Sequence, residues 1–67
     1  MTVRENLQNK IAGQRQQKAK EQELARNASI DFDRAFHQRL AAAAQLNIDA
    51  YLRDLATLSP KELDEKI

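Results

Sequence analysis

Asn27-Ala28-Ser29-Ile30-Asp31-Phe32-Asp33 is the stretch on which the fold turns. Ala28, Ile30 and Phe32 alternate with Ser29, Asp31 and Asp33, the period of two that gives a short strand one buried face. A lone strand leaves its amides and carbonyls unpaired, and the nearest partner is the same strand from a second copy. The other way to read these residues is a loop in which Ser29 or Asp31 caps the next helix. The first choice predicts a mainly α chain with one short strand, paired into an intertwined homodimer. The second predicts a three-helix all-α bundle.

Helical signals flank this stretch on both sides. Downstream, Asp33 is an acceptable N-cap, Phe36, Leu40, Ala43 and Ala44 recur at helical spacing, and Ala41 to Ala44 has the highest helix propensity available. Leu46-Asn47 interrupts the pattern, and Asn47 or Asp49 can cap a second helix carrying Ile48, Tyr51, Leu52, Leu55 and Leu58. Ser59-Pro60-Lys61-Glu62 is a capping box with proline at the first helical position, which announces one or two more turns toward Ile67. Upstream, Thr2-Val3-Arg4-Glu5 is another capping box, opening a helix with Val3, Leu7 and Ile11 on one face. Past Gly13 that face fades, since Gln14 to Glu23 offers only Ala19 to a core, so this arm is expected to be helical or frayed until something covers it. Three segments result: a basic, Gln-rich arm over residues 1–26, a dimerisation core over 27–58, and a short C-terminal helix over 59–67.

Size points the same way. At 67 residues a lone core supplies little stability, and the usual substitutes are missing: there is no cysteine for a disulfide, and His37 is the only histidine, too few for a zinc site. Oligomerisation is the remaining route, with Ile30, Phe32, Phe36, Leu40, Ile48, Tyr51, Leu52 and Leu55 as the expected dimer core. No apolar run suits a membrane span or a signal peptide, so the expected location is the cytoplasm. Residues 1–26 hold six basic and three acidic side chains and residues 27–67 five and seven, leaving the arm mildly basic. That bias suits phosphate or an acidic protein face as well as ordinary solvation.

Enzymatic chemistry lacks its parts: there is no cysteine nucleophile, one imidazole, and one glycine, Gly13, from which no phosphate-cradling loop can be built. No cofactor, metal or small-molecule substrate is expected. Asp31 and Asp33 would share a strand face, but two carboxylates without further oxygen ligands hold a cation weakly. His37, four residues beyond Asp33, is expected in an exposed contact with it.

Strand, helix, short turn, helix is the order of the ribbon-helix-helix family of Arc and methionine-repressor type. Ser29 to Ala44 resembles its strand and first helix, and Asn47 to Leu55 its second. The resemblance implies a dimer whose paired strands enter the DNA major groove, with Asn27, Ser29 and Asp31 facing the bases; independently of it, the charge of the arm suits Arg15, Lys18, Lys20 and Arg26 to phosphate. Asp31 accepts only from the cytosine amino group and repels phosphate. Asp49 puts a negative charge where the family's second helix receives an anion, and the turn is shorter than the family's and lacks its glycine. The expected function is a small dimeric DNA-binding regulator, of repressor, partition or antitoxin-like type. The alternative is a non-enzymatic protein-interaction module, such as a small phage or plasmid protein that modulates a host or toxin-like protein.

Overall fold

Thr2 fixes the start of the first helix. Its hydroxyl accepts from the Glu5 amide at 3.2 Å, and the Glu5 carboxylate accepts from the Thr2 amide at 3.1 Å, so the first of the two expected capping boxes forms. The computed structural model describes all 67 residues and has three helices, α1 (Val3–Asn27), α2 (Asp31–Thr57) and α3 (Pro60–Leu63). The second capping box opens α3, with Ser59 and Glu62 bonded reciprocally and Pro60 at the first helical position.

No strand forms over residues 27–33, which removes the ribbon and with it the intertwined architecture; the all-α alternative fits instead. Asn27 ends α1, Ala28 and Ile30 are extended, and Asp31 begins α2. The alternation of apolar and polar residues is a property of a tight link between helices: Ile30 stands in the turn and Phe32 already lies in the first helical turn. Asp33 is not the N-cap. Ile30 takes that place without a side-chain bond, while Asp31 and Asp33 occupy the first turn, where carboxylates suit the positive end of the helix dipole. The only β-type pairing joins Thr2 to Lys66 at the far end of the molecule.

The expected break at Leu46-Asn47 is also absent, and α2 runs uninterrupted for 27 residues. Asn47 and Asp49 are poor helix formers by a few tenths of a kcal/mol each (roughly 0.7 at most). Packing outweighs that cost: Ile48 is buried, and the Gln45 amide donates to Asp49 one turn later at 2.7 Å.

The N-terminal segment does not fray. It is a 25-residue helix lying antiparallel on α2, as the pairing of Gln14 with Asn47, Lys18 with Gln45 and Glu21 with His37 requires. Its inward positions are Leu7, Ile11, Gln14, Lys18, Glu21 and Ala25, facing His37, Ala41, Ala44, Ile48, Tyr51 and Leu55 of α2; all are buried or half-buried. Both sets alternate steps of four and three, the heptad seam of a coiled coil. The seam is uneven. Near the termini it is apolar, closed by Leu7, Ile11, Ile48 and the buried Leu63 of α3. In the middle, the small Ala41 and Ala44 leave room for the long polar side chains of α1.

α3 returns the chain to its beginning. Val3 donates to the Glu65 carbonyl at 2.8 Å, Ile67 to the Met1 carbonyl at 2.9 Å, and Arg4 pairs with Asp64 at 3.1 Å. The result is a slab of 49 × 18 × 13 Å. No helix is long and apolar enough to cross a membrane.

Candidate interaction surface

The two flanks of the hairpin differ in chemistry. On one side an open groove of about 820 Å³ is lined by Lys18, Gln22, Arg26, Arg34, Gln38 and Gln45, with alanines at its floor. Its cations are partly committed. Lys18 donates to the Gln45 side-chain oxygen, and Arg34 donates to the Ala28 carbonyl at 3.0 Å and to Asp31 at 3.3 Å. Arg26 is the basic side chain of the groove without such a bond.

The opposite flank follows from helix geometry. Two residues correspond to roughly 200° around a helix, so Leu24 is carried away from Gln22, and Phe36 and Leu40 away from Gln38. These three side chains, with Phe32 one turn before Phe36, form an apolar surface near the hairpin tip, and Ile30 is exposed in the adjoining turn. Phe32 is 75% exposed, Ile30 59%, Phe36 48%, Leu24 40% and Leu40 37%. Along α2 the stripe Phe32, Phe36, Leu40 and Ala43 carries no charge, and Asp33 and Arg39 border it on either side.

Beneath this surface lies a polar pair that the sequence did not announce. Glu21 is the one buried charged residue, and its carboxylate meets His37 Nδ1 at 2.6 Å and accepts from the Gln17 amide at 2.8 Å. His37 therefore reaches across to α1 rather than back to Asp33, and the Phe36 ring stands edge-on to it at 5.4 Å. The Glu21 contact sets the position of the His37 ring, against which Phe36 packs edge-on. No three of the His, Asp and Glu side chains come together as metal ligands would.

The residues expected on DNA are spread over α1, the turn and the start of α2. Lys18 and Arg26 line the groove, Asn27 ends α1, Ser29 is in the turn, Asp31 is exposed and paired with Arg34, and Lys20 lies outside the groove lining. Of the residues expected in a core, Ile48 is buried and Tyr51 and Leu55 are half-buried, with Lys10 over the Tyr51 ring at 5.8 Å. Ile30, Phe32, Phe36, Leu40 and Leu52 are exposed on this chain. Leu24, Glu21 and Arg34 carry no strong individual signal in the sequence. The available signal was the step of four and three linking Gln14, Lys18, Glu21 and Ala25, which places Glu21 inward and Leu24 at its edge. Compared with family models, curated proteins and solved structures, the chain matches none of them.

Proposed function

We propose that this chain is a non-enzymatic protein-interaction module, a helical hairpin that docks through the apolar flank at its tip. The observation that carries this is the exposure of Phe32, Phe36, Leu40 and Leu24, which helix geometry sets on one flank. Burying a large apolar side chain completely is worth about 1.5–3 kcal/mol, so four that are roughly half-covered leave on the order of 4 kcal/mol unrealised. Apolar surfaces of this kind with a polar border are docking sites more often than accidents. The matching surface is an amphipathic helix or helix pair that presents its own stripe at i, i+4 and i+7 or i+8.

A nucleic-acid role would now rest on the groove, where Lys18 and Arg34 already bond within the chain, because the ribbon that was to read bases is absent. The apolar flank has no such internal partner.

Site-specific photo-crosslinking tests the docking role. A benzoylphenylalanine replacing Phe32 or Phe36 in the full chain, irradiated in the producing cells, is expected to give protein adducts whose peptides can be identified. The same group replacing Gln22 on the groove flank is expected to give none. Absence of adducts from both aromatic positions would sink the proposal.

A further inference from the structure

We infer that the occupant of this flank is the same flank of a second copy, so that two hairpins form a four-helix bundle; the inference rests on the docking role just proposed. Surface area is the first argument. A compact monomer of 7.7 kDa exposes about 4,300 Å², whereas this chain exposes 5002 Å². The excess of about 700 Å² is close to the ~800 Å² that each partner contributes to a stable interface. The chain is also too elongated for its length, with a radius of gyration of 15.1 Å against about 11 Å for a compact domain of 67 residues.

The order of side chains along α2 is the second argument, because it is complementary to itself when reversed. A two-fold axis between Phe36 and Leu40 sets Phe36 of one copy opposite Leu40 of the other, twice. The same register brings Phe32, 75% exposed in the single chain, level with the small Ala43 and Ala44. At Phe32 a large side chain then meets small ones, a condition for interdigitated packing. An isologous contact of this kind closes on itself and leaves no apolar edge to propagate. Leu24 of each α1 extends the patch sideways, which makes two layers of helices rather than a single crossed pair.

The seam supplies the third argument. No side chain of the single hairpin is wholly buried, and the middle of the seam is polar. A chain with this little core gains stability from cover, and its own copy is present whenever the chain is made.

Light scattering across a concentration series, with the full chain, is the experiment. The expected mass at about 100 µM is twice the 7.7 kDa of one chain, and Phe36→Asp should weaken association by at least ~100-fold, as charge placed at an interface centre does. Gln22→Asp on the groove flank should leave the mass unchanged. Since Phe36→Asp could also unfold the chain, a second measurement uses the lack of native cysteine. Chains with Phe36→Cys mixed with chains with Leu40→Cys should oxidise to a mixed disulfide, and neither should link to Gln22→Cys. A helical wild-type chain of monomeric mass at that concentration, or disulfides formed equally with position 22, would overturn the second copy. Crosslinked adducts to a different protein would then leave the docking role standing with another partner.

Discussion

The two ends of the hairpin use the same kinds of side chain in opposite ways. At the terminal end, Leu7, Ile11, Ile48 and Leu63 turn inward and the chain ends are tied together by backbone bonds. At the turn end, Phe32, Phe36 and Ile30 face outward, and the inward positions go to Ala25, Ala41 and a buried Glu21 held by His37. One end closes an apolar core within a single chain, although Met1 and Ile67 stay exposed there. The other has spent its large apolar residues on a surface that only another molecule can bury.

That contrast can be broken experimentally, starting with its strongest element. Ile48→Ala removes a buried side chain from the closed end and should cost about 2–5 kcal/mol, comparable with the whole stability of so small a chain. Circular dichroism should show lost helicity at every protein concentration. Phe32→Ser, by contrast, should shift the melting temperature only at concentrations where copies associate, and leave dilute samples within about 0.5 kcal/mol of wild type.

His37→Ala should rank next. It leaves the buried Glu21 carboxylate with Gln17 as its remaining side-chain partner, at an expected cost of roughly 1–3 kcal/mol in urea unfolding. Combining His37→Leu with Glu21→Leu should recover part of that loss, because two apolar groups leave nothing unpaired; equal or additive losses would show that the pair carries no mutual dependence.

Gly13→Ala should act in the other direction. The glycine is helical, and a Cβ there meets nothing within 4 Å. Thermal melts should show a gain of about 0.5–1 kcal/mol, and a loss would mean that α1 needs a flexible point between its apolar and polar halves.

The smallest effect concerns acid. The Glu5 carboxyl is held below its ordinary value of 4.5 first by the hydrogen bond to the Thr2 backbone and then by the Thr2 side chain. A lowered folded value means that its contribution is complete above 4.5 and disappears as pH falls through the lowered value. Wild type should therefore melt above Glu5→Gln at neutral pH, with the two converging in acid. A difference that persists in acid would assign the cap to something other than the carboxylate.

What the sequence disclosed was local. Both capping boxes and the proline opening α3 are set by neighbours three residues apart, and they form as written. The apolar spacing of Ile48, Tyr51 and Leu55 likewise reports a real inward face. The errors arose where tertiary packing decides. Seven alternating residues describe a turn between helices as well as a strand, and only the continuation of hydrogen bonds on both sides separates the two. Asn47 and Asp49 signal a cap in isolation but sit inside a helix held by Ile48. The inward face of α1 was hidden because Gln14, Lys18 and Glu21 are polar, and they belong inside only when Ala41, Ala44, Gln45 and His37 stand opposite. The apolar flank was legible as residues, since Phe32, Phe36 and Leu40 stood out, but not as a surface.

The junction of Met1 with Ile67 has a further consequence. Both chain ends leave the slab side by side, at the end opposite Phe32. The hairpin thus has a handle and a working tip: a fluorophore, a tether or a fused domain attached to either end hangs clear of the aromatic flank. Joining the ends by a short peptide would convert the chain to a ring without crossing that flank.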